Sequence, residues 1–327
     1  MCCSLLLWVG LLVGLTSYII YTPQVDLSAL KSERILLTGG GSGIGEEMAR
    51  LAVSYGAHVT ITGRRESRLK KVCDTIMANS ASTGKCSYVV GDMSSKEDVI
   101  RVVREAVEVM GGLDSLILNH VWGVVKYFED LEFDEITEAF TQTFHANVLG
   151  NMWLVHLTLP HLKASASTRG HRSHILHVGS ISVTYGVPKL SFYAASKLAM
   201  NGFIDAVRME LGPKSVVSLT TANVGAVATD TFKDSLINPT SVELDSAMET
   251  EKCARLLLEY MVAEKREVMM PLVDKPFPIS GYISWMFPEA AEYMLRSQYN
   301  ITGAKQGFLK DVGGKPPQDL PQPPKDV

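Results

Sequence analysis

Tyr193 and Lys197 stand four residues apart in Tyr-Ala-Ala-Ser-Lys, at the start of a stretch whose composition suits a helix. On a helix that spacing puts both side chains on one face. A free tyrosine titrates near ~10, too high for easy proton exchange at neutral pH, and an ammonium close by lowers that value by favouring the phenolate. The pair has the makings of a general acid/base. YxxxK arises often by chance, so its company matters. Ser180 closes a strand-like run thirteen residues before Tyr193. Asn147 opens a helix-compatible stretch (Ala-Asn-Val-Leu-Gly), and Asn119 follows the apolar run Leu-Ile-Leu. A hydroxyl, a phenol, an ammonium and two amides in this order suit proton transfer at an oxygen atom.

A second constellation is Thr38-Gly39-Gly40-Gly41-Ser42-Gly43-Ile44-Gly45, placed where a short apolar run turns into a helix-compatible segment. Glycines there permit positive φ and a close backbone approach to a phosphate. The helix that follows offers free N–H groups and its positive dipole end to a pyrophosphate. The spacing is TGxxxGxG, not GxGxxG. The next strand-like run ends in Thr62-Gly63-Arg64-Arg65, and the first acid, Glu66, comes only after both arginines. An acid near this point would bind a ribose 2′-hydroxyl, whereas an arginine suits a 2′-phosphate. NADP(H) is therefore favoured over NAD(H).

The elements that position these residues alternate. Strands are expected at Arg34–Thr38, His58–Thr62, Ser87–Val90, Ser115–Leu118, Ile175–Val178, Val216–Thr220 and Glu267–Met270, with helical segments between them, among them Glu46–Ser54, Ser67–Ala78 and Lys96–Met110. That alternation predicts an α/β fold, a single Rossmann-type doubly wound parallel sheet. Lys163–Arg172 (KASASTRGHR) reads as a surface loop. Residues 304–327 form a tail rich in proline, a solvated segment or a ligand for a partner domain.

The N-terminal residues 1–23 hold an apolar run with no charged side chain before Asp26. About 20 helical residues match a hydrocarbon core of about 30 Å, so the run is expected to be a transmembrane helix. A cleavable signal peptide is disfavoured by the missing basic n-region. Lys31 and Arg34 follow the segment but Asp26 and Glu33 accompany them, which leaves the side of the membrane open. Asn300-Ile301-Thr302 is an acceptor sequon that has meaning only in a lumen. The remaining body, residues 24–303, is expected to be one domain.

At 327 residues and net charge −4, with acids and bases interspersed, the chain gives no sign of a nucleic-acid partner. Its five cysteines, at 2, 3, 73, 86 and 253, include no separated CxxC and suggest neither a metal site nor a disulfide framework.

Taken together, the glycine turn, Asn119, Asn147, Ser180, Tyr193 and Lys197 resemble the short-chain dehydrogenase/reductase family over roughly residues 32–275. Within it the likeness is to the 11-beta-hydroxysteroid dehydrogenases, through the apolar N-terminus, Leu118-Asn119-His120-Val121 and the run from Tyr193 to Phe203. The resemblance implies that Gly39, Ser42, Gly43, Ile44 and Gly45 form the pyrophosphate turn, that Arg64 meets the 2′-phosphate and that Asp92 meets the adenine. It implies that Asn119 steadies the central sheet, and that Ser180 polarises a carbonyl. Tyr193 would exchange the proton, Lys197 would hold the nicotinamide ribose and tune Tyr193, and Asn147 would support a water in the proton relay.

It further implies an endoplasmic reticulum anchor, a homodimer and a hydrophobic carbonyl or alcohol substrate, such as a steroid, retinoid or lipid. Tyr185, Val187, Pro188, Leu190 and the segment after Gly225 would line the pocket, and Pro276–Leu295 would cap it, pack a dimer or rest on the membrane. His120 and His145 read as structural or pocket-lining. The rival function class is a catalytically silent, membrane-bound nucleotide-binding scaffold or sensor.

Overall fold

The computed structural model describes residues 25–79, 83–184, 186–229 and 247–270. All of these lie in the first of two compact units, Met1–Tyr282. The expected anchor, Tyr185, Pro276–Leu295, the Asn300 sequon and the C-terminal tail lie outside the described residues.

Seven parallel strands form one sheet: β1 Arg34–Thr38, β2 His58–Gly63, β3 Lys85–Val90, β4 Ser115–Leu118, β5 Ser173–Ser180, β6 Val217–Val224 and β7 Glu267–Met269. Their order is β3-β2-β1-β4-β5-β6-β7. The central strands are apolar without alternation because helices cover both faces. On one face α1 (Gly43–Ser54), α2 (Glu66–Asn79) and α7 (Thr250–Val262) enclose a core that includes Met48, Leu69, Val72, Leu257 and Met261. On the other, α3 (Lys96–Met110), α5 (Gly150–Arg169) and α6 (Ser191–Leu211) enclose Val99, Val103, Leu154, Met200 and Ile204. Between β4 and α5 runs α4 (Phe133–Phe144), joined to α5 through a π turn at His145–Leu149. The chain changes direction across the sheet between β1 and β4. Doubly wound folds place their ligands beyond the carboxyl ends of the strands at such a switch.

Asn147 does not open a helix as expected. It sits inside the π turn, within a helical run that starts at Phe133 and ends at Arg169. Lys163–Arg169 is also helical, so the loop expected at 163–172 begins only at Gly170, whose φ of 74° ends α5. Small polar residues are compatible with the helix there because their hydroxyls bond one turn back, Ser167 to Lys163 O at 2.9 Å and Thr168 to Ala164 O at 3.0 Å. Ser165 and Arg169 face inward. They meet a charge network at the amino ends of β1 and β4, far along the strands from the switch point. Arg34 pairs with Asp114 at 2.6 Å, Arg169 pairs with Glu33 and, at 3.3 Å, with Asp114, and Ser165 donates to Asp114. Burial pushes the Glu33 carboxyl upward against Arg169. Burial also acts on Asp114, but the hydrogen bonds from Arg34 and Ser165 outweigh it and hold that carboxyl low.

Cys73 and Cys86 are bonded to each other, with Cα atoms 5.2 Å apart, which corrects the expectation of unlinked thiols. The bond staples α2 to the edge strand β3. Spacing alone could not reveal it, because the two cysteines meet only when α2 folds back on β3. Among the described residues no helix is long and apolar enough to cross a membrane. Among them, too, no cluster of His, Cys, Asp or Glu could hold a metal ion.

Candidate active site

The glycine turn leaves β1 at the switch point. Gly39 has φ +68°, and a Cβ on it would lie 2.9 Å from the His120 Cα. A Cβ on Gly45 would overlap the Gly39 carbonyl oxygen and approach Asn119 Nδ2 to 2.7 Å. Both positions therefore need glycine for the turn to close. Helix α1 begins earlier than expected, at Gly43, so Gly43, Ile44 and Gly45 form its first turn. Ser42 is the N-cap in extended conformation, and its side chain makes no capping bond. Its hydroxyl and the first N–H groups of α1 are thus presented together, a ready anion site.

Asn119 closes the base of this turn. Its Nδ2 donates to Thr38 O and Gly39 O, both at 3.2 Å, and its backbone N–H donates to the Thr38 hydroxyl at 3.0 Å. His120 extends the tie. Its Nε2 lies 2.8 Å from Ala146 O, which can only accept, so Nε2 carries the hydrogen. Nδ1 lies 2.9 Å from the Thr38 hydroxyl, whose single hydrogen is shared between this nitrogen and Ile117 O at 3.1 Å. Burial pushes this imidazole down to about 4, which keeps it neutral. His120 is a structural link between the glycine turn and the π turn, as expected. His145 is exposed on the π turn.

The acid–base residues converge from β5, α6 and the π turn. Ser180 is the last residue of β5, and its hydroxyl accepts from Ser182 N–H at 3.2 Å. Tyr193 and Lys197 lie in the first turns of α6, and Lys197 Nζ is 5.7 Å from the Tyr193 ring centre. Lys197 is only 5% exposed and donates to Val178 O at 2.8 Å. Burial lowers it to about 8. The Tyr193 phenol is pushed up by burial, and the Ser180 hydroxyl pulls the other way. This corrects the expectation that Lys197 lowers Tyr193. The ammonium is held by Val178 O, and in this state burial dominates.

Asn147 is buried, and its side chain is used structurally. Oδ1 accepts from Trp122 N–H and Nδ2 donates to Trp122 O, both at 2.8 Å. Nδ2 also reaches the Ser196 hydroxyl at 3.0 Å, which in turn donates to Tyr193 O at 2.7 Å. The π turn, a distortion often found at functional sites, thus ties Asn147 to the backbone of Tyr193. Thr38, Trp122 and Ser196 carry these links and were not singled out from the sequence. Their roles depend on backbone partners that no motif spells out.

Arg64 lies exposed at the carboxyl end of β2 beside Arg65 and Arg68. Arg65 is pushed below the usual arginine value by desolvation and then by Arg68 and Arg64, so the three cations gather there. Among the described residues none of the three is paired with an acid. Asp92, after β3, accepts from the Ser94 N–H at 2.9 Å and hydroxyl at 2.8 Å. Val187, Pro188 and Leu190 are half-buried in the loop before α6. Gly123 packs on the Tyr193 ring, with a Cβ there 3.7 Å from Cδ2.

The model of the short chain dehydrogenase family matches residues 33–239. The chain belongs to the short-chain dehydrogenase/reductase family. Within this family it is 32% identical over 276 residues to a hydroxysteroid 11-beta-dehydrogenase 1-like protein A of Xenopus laevis, covering 83% of this chain and 90% of that one. It is 36% identical over 185 residues to an 11-beta-hydroxysteroid dehydrogenase-like 4A of Arabidopsis thaliana, covering 57% and 58%. Among solved structures, a short chain dehydrogenase from Burkholderia cenocepacia in complex with NADP superposes with TM-score 0.64 at 22% identity, over 75% of this chain and 98% of that one. A 3-ketoacyl-(acyl-carrier-protein) reductase from Brucella melitensis complexed with NADH superposes with TM-score 0.63 at 25% identity, over 74% and 96%. The chain is thus a Rossmann-type oxidoreductase of that family, and these two neighbours hold NADP and NADH.

The residues present fit a dinucleotide of that kind. The turn is cleared of Cβ atoms at Gly39 and Gly45, and an uncapped helix start sits beside a cluster of arginines.

Proposed function

We propose that this protein is an NADP(H)-dependent reductase of a hydrophobic carbonyl, with Tyr193 as the general acid. The observation that carries the reading is the convergence of Ser180, at the end of β5, with Tyr193 and Lys197 of α6, whose Nζ lies 5.7 Å from the Tyr193 ring centre. Gly39, Ser42, Gly43, Ile44 and Gly45 would hold the pyrophosphate and Arg64, aided by Arg65 and Arg68, a 2′-phosphate. Asp92 would meet the adenine, and Asn119 would keep the turn closed. A bound nicotinamide dinucleotide supplies the hydride.

The chain's own part is to place the carbonyl oxygen and to protonate it. Ser180 donates a hydrogen bond to that oxygen as charge develops on it. Tyr193 gives its phenolic proton to the same oxygen, and the phenolate that remains is stabilised by the nearby ammonium of Lys197. A phenol pushed up by burial holds its proton at neutral pH, which suits carbonyl reduction. Asn147 fixes the start of α6 through Ser196 and so keeps Tyr193 in line. The half-buried Val187, Pro188 and Leu190 favour an apolar substrate, a steroid, retinoid or lipid carbonyl, in keeping with the hydroxysteroid names of the relatives.

The reading includes a membrane anchor in residues 1–23 and residence at the endoplasmic reticulum. The Cys73–Cys86 bond supports an oxidising, lumenal side for the domain. Exposed Phe128, Phe133 and Phe140 support burial against a second copy.

NADPH consumption by the purified chain against steroid, retinal and aliphatic carbonyls, beside Tyr193→Phe, tests the proposal. Substrate-dependent oxidation that disappears in the variant supports it. Tight NADPH binding with no turnover on any of the carbonyls would instead favour a silent nucleotide-binding scaffold.

A further inference from the structure

The helical run from Phe133 to Arg169 departs from its regular ladder at the π turn His145–Leu149. There the Gly150 N–H bonds to His145 O, five residues back. In a regular helix it would have served Ala146 O, four residues back, so the turn takes that donor away. Ala146 is buried, and a buried carbonyl without a donor costs free energy, so the distortion calls for a donor from elsewhere. His120, in the loop after β4, supplies one, its Nε2–H reaching Ala146 O at 2.8 Å.

The same loop grips the next residue of the π turn. The Trp122 backbone N–H and C=O are both bonded to the Asn147 side chain at 2.8 Å. Trp122 thus fixes the Asn147 side chain, while His120 fixes the backbone that carries it. At its other end the loop is tied to the glycine turn. The His120 N–H donates to the Thr38 hydroxyl at 3.2 Å, and its Cα stands 2.9 Å from where a Cβ on Gly39 would lie. Beyond the π turn the path runs from Asn147 Nδ2 to the Ser196 hydroxyl at 3.0 Å and from there to Tyr193 O at 2.7 Å.

We propose that His120 is a positioning residue for Tyr193, holding the π turn through Ala146 O and so joining the closed glycine turn to the start of α6. This rests on the reading of Tyr193 as the general acid beside a nucleotide held by that turn. A nucleotide that orders the glycine turn then also steadies the π turn, and with it the backbone of Tyr193. The acid is brought into line by the cofactor it works with.

Two substitutions separate the two ring nitrogens. Glutamine carries its amide nitrogen out to about the place of Nε2 and can still donate to Ala146 O. Asparagine reaches only as far as Nδ1, so it keeps a polar group beside Thr38 and abandons Ala146 O. With NADPH and a carbonyl that supports turnover, His120→Asn should lose about 10- to 100-fold in kcat, the scale of a misplacement near ~1 Å, with KM and NADPH affinity little changed. His120→Gln should restore most of that kcat. Equal kcat in the two variants, or a loss confined to NADPH affinity or melting temperature, overturns the proposal.

A second arm needs no turnover. Hydrogen exchange of the full chain is followed by mass spectrometry with and without 2′-phospho-ADP-ribose, which fills the glycine turn but carries no nicotinamide to touch Tyr193. The probe should slow exchange at residues 145–149 in the wild type and His120→Gln, and not in His120→Asn. Slowing there that is the same in all three proteins overturns the link. A wild type that binds the probe but reduces no carbonyl refutes the proposed function alone, and the exchange arm still decides the link. If the wild type binds neither probe nor NADPH, crystal structures of wild type and His120→Asn decide it. The start of α6 should shift in the variant, and an unmoved Tyr193 overturns the proposal.

Discussion

Gly45→Ala is the sharpest probe of the cofactor turn. The new Cβ would overlap the Gly39 carbonyl oxygen and stand 2.7 Å from Asn119 Nδ2 and 2.9 Å from the Gly39 carbonyl carbon. Ordinary contact begins at 3.4 Å and the Gly39 oxygen is the nearest obstruction, so backbone must give by roughly 1 Å, and two of the three obstructing atoms are backbone. Overpacking of this kind costs about 1–3 kcal/mol of stability. The same displacement spoils at least one N–H aimed at a phosphate. A hydrogen bond to a charged group contributes about 1.5–3 kcal/mol, so NADPH should bind roughly 10- to 100-fold more weakly. Gly41→Ala is the matched control. Its Cβ would meet nothing nearer than Leu69 Cδ2 at 3.5 Å, and its φ is not in the left-handed range. Fluorescence titration with NADPH, together with thermal unfolding, reads both effects. The reasoning is refuted if Gly45→Ala binds and melts like the wild type, or if Gly41→Ala loses as much.

Arg169→Leu leaves Glu33 and Asp114, 4% and 1% exposed, without one of their cations. It should cost about 3–5 kcal/mol in denaturant unfolding, while a loss below about 1 kcal/mol would mean that water reaches the network. Cys73→Ser opens a loop with a sequence separation of 13 and should cost about 3 kcal/mol. Reductant should lower the wild-type melting temperature to that of the variant and leave the variant unchanged. His120 and His174 are both lowered by burial from 6.5 to about 4, so below pH 6.5 the unfolded chain takes up protons that the folded chain refuses. Stability is full above that pH and should be lost as pH falls toward 4, by up to about 3 kcal/mol for each histidine. Unfolding free energies that stay flat between pH 7 and 4 would show that these rings are hydrated.

The sheet was legible because parallel strands covered on both faces appear as uninterrupted apolar runs, as at Arg34–Thr38 and Ser115–Leu118. The strand ends were less so. β5 continues through Gly179 and Ser180, and β6 through Asn223, where polar residues are buried by partners on neighbouring elements. Lys163–Arg169 looked like a loop because its composition is small and polar, whereas tertiary contacts of Ser165 and Arg169 make it a helix. The Cys73–Cys86 bond and the Thr38–His120–Ala146 link join elements distant in sequence and leave no local pattern. The candidate site was legible as a set of residue types in order, and the structure brings Ser180, Tyr193 and Lys197 together as that order implied. The balance of charges was not legible. Burial raises Tyr193 where adjacency to a lysine suggested the opposite.

The central claim is that hydride and the Tyr193 proton meet on one carbonyl. NADPH carrying deuterium on the transferring carbon of its nicotinamide tests it most directly, with a carbonyl that supports turnover and mass analysis of the product. The account predicts one deuterium on the alcohol carbon with the wild type and no labelled alcohol with Tyr193→Phe. Labelled alcohol formed at the wild-type rate by Tyr193→Phe would contradict it.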